Sequence, residues 1–261
     1  VTGPTGASGL QGPTGPTGGV QTHNGRNIFI GLNTGSSNIG GLDNVAVGYN
    51  SFVANTEGSE NVAMGANTLN SNTQGNRNIA LGYQASEQGT TASANVAIGY
   101  ESLRYNLTSP HNVAIGTWAG RSITSDRNTA LGAFTLENPS ANATGPNTAV
   151  GFISLGGIVG GNNTAVGVQT GANLTGDNNT VMGHVACSKR LTGHNNVILG
   201  ANSLSATGAT GTNIPARIAS YNTTVGTNTL KTIESGNFNV AIGYDALADS
   251  TGCEQNVAIG P

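Results

Sequence analysis

The chain has 261 residues, of which only 8% are charged and 41 are glycine, and its formal net charge is −3. A near-neutral chain without a basic patch gives no electrostatic reason to expect nucleic-acid binding, and no apolar run is long enough to cross a bilayer. Valine, isoleucine and leucine recur at a fixed phase, which argues against a low-complexity linker.

The first element, residues 1–20, is a tract with glycine at every third position. Only glycine fits at the crowded axis of three polyproline-II chains, and proline directly follows several of these glycines. We therefore predict the end of a collagen-like triple-helical stalk; the alternative is a flexible Gly/Pro linker. The glycines are Gly3, Gly6, Gly9, Gly12, Gly15 and Gly18.

Residues 21–43 form a transition that contains one atypical phrase, Asn27-Ile28-Phe29-Ile30-Gly31. A bulky phenylalanine stands here where later phrases carry alanine. Terminal repeats of stacked architectures are often atypical because they act as caps. We predict a capping coil in this segment.

Residues 44–261 repeat the five-residue phrase Asn, a β-branched residue, usually Ala, an aliphatic residue and Gly. The spacing between its closing glycines is most often 17 residues, and a fixed period in this range is typical of a solenoid. We predict an all-β fold, a parallel β-roll of about fourteen coils. With the phrase in residues 27–31, the repeat glycines are Gly31, Gly48, Gly65, Gly82, Gly99, Gly116, Gly132, Gly151, Gly167, Gly183, Gly200, Gly226, Gly243 and Gly260.

Each coil is predicted to contain two strands. The first is the Val-Ala-Ile segment, and the second follows the glycine, as in Tyr49-Asn50-Ser51-Phe52. The asparagine that opens the phrase has two structural interpretations: an amide ladder along the fibre axis, or left-handed turn geometry. The predicted ladder comprises Asn44, Asn61, Asn78, Asn95, Asn112, Asn128, Asn147, Asn163, Asn179, Asn196, Asn222, Asn239 and Asn256.

The first strand also predicts the oligomeric state. Side chains alternate between two faces of a strand, so Val45 and Val47 point one way and Ala46 the other. Both faces are apolar, which is typical of strands buried on both sides. We expect one face to fill the coil, and the small alanine face to contact neighbouring chains closely. Together with the collagen-like tract, this pattern predicts a homotrimer.

The phrase Asn-Val-Ala-Ile-Gly, repeated over residues 44–260, resembles the head repeats of YadA-like trimeric autotransporter adhesins. That resemblance implies a left-handed parallel β-roll of three chains. Related repeats occur in phage and giant-virus fibres, and the Gly-Pro-Thr tract is similar to the stalks of collagen-like spore-surface glycoproteins. The coil here is longer than in the autotransporters, a collagen-like tract precedes it, and no membrane-anchor barrel follows in this sequence.

Nothing in the sequence predicts catalysis. A nucleophile beside a base, or paired carboxylates, would be needed on the scaffold, and the histidines show no ligand spacing with Cys, Asp or Glu. We expect no enzyme activity, no cofactor and no metal site.

Two features are candidate surface contacts. Trp118, Phe134, Ile153 and Val185 share the position two residues after a repeat glycine, where other coils mainly carry polar residues. They form either an exposed apolar ladder, of the kind that marks interaction sites, or a patch covered by neighbouring loops. The long coil between Gly200 and Gly226 contains Arg217, and insertions in solenoids often lie on the binding face; a functionless insertion is the alternative.

The sequence thus predicts a non-enzymatic homotrimeric fibre outside the cell, on a bacterial cell or spore surface, that mediates attachment. A phage or viral tail fibre and a purely structural filament subunit are the alternatives. The expected partners are sister copies, in trimers that could also join end to end, and a host-surface glycan or protein.

Overall fold

The computed structural model describes residues 20–21, 26–137, 145–157, 160–188, 191–205 and 218–261. The predicted collagen-like tract, except for its last residue, lies outside these ranges, as does Arg217. The described residues are all-β and contain no helix. The strands are β1 (Val20–Gln21), β2 (Ile28–Ile30), β3 (Val45–Val47), β4 (Val62–Met64), β5 (Ile79–Leu81), β6 (Val96–Ile98), β7 (Val113–Ile115), β8 (Thr129–Leu131), β9 (Thr148–Phe152), β10 (Thr164–Val168), β11 (Thr180–Met182), β12 (Val197–Leu199), β13 (Thr223–Val225), β14 (Val240–Ile242) and β15 (Val257–Ile259).

These strands form a single sheet in sequence order. From β2 to β15 every neighbouring pair is parallel, and each phrase stacks in register on the next, as Ala46 does on Ala63 and Ala63 on Ala80. The exception is β1, which pairs antiparallel with β2. The architecture is a parallel β-solenoid whose coils are about 17 residues long.

The prediction of a second strand after each repeat glycine is wrong. Residues 49–54 form turns, and Asn50 and Phe52 have φ of 50° and 56°. The same two positions are left-handed in most coils, including Leu69 and Leu103. A bulky residue with positive φ is uncommon. The apolar residues at these positions therefore favour a strand in the sequence, although the chain forms a turn there.

The repeat glycine is required by close stacking of the coils. Gly82 has φ of 132°, and a Cβ atom built there would lie 2.5 Å from the carbonyl oxygen of Gly99 in the next coil. Such a distance is far inside van der Waals contact, and that backbone conformation is available almost only to glycine. The phrase ends in glycine because the backbones of successive coils touch at this point.

The core lies inside the coil and is narrow. The middle strand residue, usually alanine, is fully buried, as Ala46 and Ala114 show with no exposed surface. Larger side chains such as Leu103 and Leu155, four residues after the repeat glycine, fill the rest. The prediction that the alanine face meets neighbouring chains is therefore wrong: the methyl groups line the coil's own interior, and the flanking aliphatic residues point outward.

Candidate interaction surfaces

The asparagines of the phrase stack into one continuous column, which we call the Asn ladder. The Oδ1 atom of each accepts the backbone N–H of the next at 2.8–3.0 Å. The Nδ2 atom of Asn61 also donates to the same Oδ1 of Asn44 and to the carbonyl oxygen of Gly75. None of these asparagines has positive φ, so the geometry corresponds to the ladder interpretation and not to the left-handed turn. The ladder runs through Asn27, Asn44, Asn61, Asn78, Asn95, Asn112, Asn128, Asn147, Asn163, Asn179, Asn196, Asn222, Asn239 and Asn256.

A second, shorter amide column was missed by the sequence reasoning. Asn55 donates from Nδ2 to Asn38 Oδ1 at 2.6 Å, and Asn72 donates to Asn55 Oδ1 at 2.9 Å. The next coil carries Gly89 at this place, so the buried Oδ1 atom of Asn72 has no hydrogen-bond partner. The recurrence of asparagine seven residues after Gly31, Gly48 and Gly65 was the available signal.

The outer side of the sheet is mostly apolar and partly exposed, with threonine at the first position of β8, β9, β10, β11 and β13. We call it the outer face: the first and third residues of each strand, and the residue that follows the repeat glycine. Met64 and Ile115 on this face are 46% and 40% exposed. Tyr83 and Tyr100 extend it and stack with ring centroids 5.5 Å apart. In β9 and β10 the residue after the glycine belongs to the strand itself, and it is also exposed there.

The predicted apolar ladder is half-buried and divides into two parts. Trp118 packs edge-on against Phe134 at 5.4 Å, and Phe134 packs against Phe152 at 5.7 Å. Ile153 and Val185 lie farther along and line a groove. The structure therefore places the first pair in an aromatic row and the second pair at a separate depression.

Beside Trp118 lies an ion-pair network that the sequence reasoning also missed. Glu101 accepts from Arg104 at 3.1 Å and from Arg121 at 2.7 Å, and Arg104 also bonds Glu87 at 2.7 Å. The Arg121 guanidinium lies 4.7 Å from the Trp118 ring centroid. Three of these charges share the fifth position after a repeat glycine. In a chain with so few charges, that shared phase was a usable signal.

The environment of Glu101 keeps it ionised. Burial raises the pKa of this carboxyl, but hydrogen bonds from Tyr100, Arg104 and Arg121 lower it more, so its pKa lies below the usual value. The side chain is only 6% exposed. Because one carboxylate oxygen, Oε2, contacts both Arg104 and Arg121, which lie in successive coils, the network ties these coils together.

The groove lies on the side of the solenoid next to the outer face and measures about 340 Å³. Ile153 and Val185 supply apolar surface, while Gln169, Asn173 and Ser188 supply amide and hydroxyl groups. The Gln169 side chain is exposed and makes no hydrogen bond to another described residue. The part of the groove that the structure describes has no charged lining residue.

Three further observations concern metal binding, the cysteines and membrane-spanning helices. Within the described ranges no group of three or more His, Cys, Asp or Glu side chains is placed to hold a metal ion. Cys187 is buried and Cys253 half-buried, and no disulfide joins them. No helix in the described part of the chain has the length and hydropathy needed to cross a membrane.

Comparisons with family models, with curated proteins and with solved structures found no match to this chain.

Proposed function

We propose that this chain is a non-enzymatic segment of an extracellular fibre that assembles as a homotrimer, projects from a bacterial cell or spore, and mediates attachment. The observation that carries the proposal is the outer face. Aliphatic side chains at nearly every rung point away from the narrow core, and Met64, Ile79 and Ile115 are each at least 40% exposed in a single chain. A soluble protein needs a partner for such a face.

The size of the outer face supports sister copies as that partner. Fourteen strands spaced about 4.8 Å apart extend for roughly 62 Å, and the face is about 13 Å wide from the first strand residue to the residue after the glycine. The product is roughly 800 Å² for the whole face, its threonines and glycines included, whereas the largest apolar patch of a typical monomer is about 300–600 Å². Stable interfaces bury about 800 Å² per partner. One face of this solenoid therefore suffices for a stable association.

Three copies are favoured by the amino-terminal tract. Glycine at every third residue from Gly3 to Gly18 requires three chains around one axis if the tract winds as collagen does. The resemblance of the phrase to YadA-like adhesin heads points to the same stoichiometry. In this arrangement the Val and Ile columns, and not the alanine columns, contact the neighbouring copies.

The role of the trimer is mechanical projection and attachment. Each coil is tied to the next by the Asn ladder and by the sheet, and neither device needs a cofactor. A viral or phage tail fibre remains the second candidate, because the same scaffold would carry host recognition there. A filament subunit without a receptor is the third.

Sedimentation equilibrium of the purified chain tests the trimer. We expect three times the monomer mass for the wild type and for Ile39→Glu, because Ile39 is 77% exposed and lies away from the outer face. Ile115→Glu places a charge in the centre of the proposed interface and is expected to give monomers with unchanged circular dichroism. A monomeric wild type, or a trimeric Ile115→Glu, would overturn the proposal. Binding of the trimer to host cells tests the attachment role.

A further inference from the structure

We propose that the groove over the middle coils binds a neutral saccharide, which deepens the attachment role and rests on it. The groove exists because of one column of small side chains. Five residues after the repeat glycine, the four coils directly before the groove carry charged residues, whereas the coils at the groove carry Gly156, Ala172 and Ser188. The charged residues are Glu87, Arg104, Arg121 and Glu137. The long side chains of those four coils give way to small ones at the groove, and a depression remains.

The lining has the chemistry that a sugar ring requires. Ile153 and Val185 offer apolar surface of the kind against which the C–H groups of a pyranose pack. Between them in the stack, Gln169 presents a side-chain amide with no hydrogen-bond partner among the described residues, and Asn173 keeps its Oδ1 atom available. An amide both donates and accepts, so it can bond a hydroxyl group in either sense.

The chemistry and the spacing of the lining favour a sugar. The lining residues that the structure describes are uncharged, and their amide and hydroxyl groups suit a neutral polar ligand. Polar groups recur along the groove with the coil spacing of about 4.8 Å, whereas an extended peptide presents side chains to one face about every 6.6 Å. The volume of about 340 Å³ is near the lower end for small-molecule sites, which fits one or two sugar units.

The test uses the full chain on an array of neutral oligosaccharides of glucose, galactose, mannose and N-acetylglucosamine, with sialylated and sulfated counterparts and a peptide array beside it. Ala172→Arg fills the groove. Ala248→Arg is its matched control, because Ala248 occupies the same position in a coil outside the groove and is equally half-buried. Gln169→Ala removes one hydrogen-bonding group and leaves the backbone unchanged.

We expect the wild type and Ala248→Arg to bind neutral sugars equally. Ala172→Arg should weaken binding at least tenfold, and Gln169→Ala about threefold to tenfold, the size of one hydrogen bond between neutral groups. No binding of neutral sugars by the wild type, equal binding by the two arginine variants, or preference for charged glycans or peptides would overturn the proposal. Sedimentation equilibrium is read separately: a trimer without sugar binding refutes only the groove, and a monomer that binds sugar refutes only the trimer.

Discussion

Substitutions at two adjacent glycines, Gly40 and Gly41, distinguish the space that a side chain needs from the backbone conformation that glycine allows. Neither Gly40 nor Gly41 has a left-handed φ, so alanine is conformationally allowed at both. A Cβ at Gly40 would lie 3.8 Å from its nearest neighbour, the carbonyl oxygen of Thr56. A Cβ at Gly41 would come closest to the carbonyl oxygen of Gly58 in the next coil, and would lie 2.5 Å from Asn38 Oδ1 and 2.7 Å from Asn55 Nδ2. Alanine therefore fits at Gly40 and breaks the short amide column at Gly41.

The magnitude follows from the groups that lose their partners. Gly41→Ala separates the Asn55 amide from Asn38, a bond of 2.6 Å in the buried interior. Asn55 Nδ2 also donates to the Gly58 carbonyl oxygen, so the change costs one buried donor and one buried acceptor the bond they share, together with the contact against Gly58, or about 2–5 kcal/mol in total. Gly40→Ala is expected to stabilise by about 0.4–1 kcal/mol, because alanine restricts the unfolded chain.

Amide hydrogen exchange of peptides within residues 38–61 is the appropriate assay, because coils of a solenoid open locally. At 1.4 kcal/mol per factor of ten, exchange should accelerate by about 30-fold to 4,000-fold in Gly41→Ala and should not accelerate in Gly40→Ala. Equal exchange in both variants would refute the argument that coil spacing, and not glycine flexibility, selects Gly41.

Three further predictions concern single side chains. Asn112→Asp removes the amide donor that bonds the Ser109 carbonyl and buries an acid, so it should lower stability by about 3 kcal/mol at pH 7 and by less at pH 3, where the acid is protonated. Asn67 is half-buried and its side chain makes no hydrogen bond to another described residue, so Asn67→Asp should change the denaturation midpoint little. Glu101→Gln should cost about 2 kcal/mol above pH 5. Because the pKa of Glu101 is lowered in the folded chain, its contribution is present above the unfolded pKa and is lost as pH falls through the folded pKa, so the wild-type and variant urea curves should approach each other there. Glu60→Gln, at an exposed pair, should differ from the wild type by less than about 1 kcal/mol throughout. Trp118→Ser should lower the melting temperature by the equivalent of about 2 kcal/mol through lost ring contacts; unchanged melting with lost attachment would assign Trp118 to binding instead.

The positions of the strands could be predicted from the sequence, but the direction of their faces could not. The phrase in residues 44–48 marks β3 correctly because β-branched residues and a closing glycine recur in phase. Alternation alone does not say which side is inside. A column of small residues on an apolar face predicts close contact between chains, whereas Ala46 is small because the coil interior is narrow.

The small residues at the fifth position after the glycine can be counted in the sequence, but the groove itself could not be predicted, because its apolar walls depend on the local backbone. Ile153 and Val185 stand two residues after their glycines, yet whether they face solvent depends on the turn that follows. Those turns carry Leu155 and Cys187 in the left-handed conformation, which apolar patterns do not reveal. The ion pairs of Glu101 could have been predicted, because Arg104 and Arg121 share the fifth position after a repeat glycine.

The narrow core explains why the chain combines amide ladders with an apolar exterior. A coil that encloses mainly alanine methyl groups and one larger side chain, such as Leu103, buries little apolar area per residue. Hydrogen bonds between neutral amides add about 1 kcal/mol each and recur along the whole axis through Asn44 and its equivalents. Association through Ile115 and its equivalents would then bury the aliphatic area that a single coil cannot. On this argument a variant that only abolishes association should lower thermal stability along the whole solenoid, and not merely at the substituted rung.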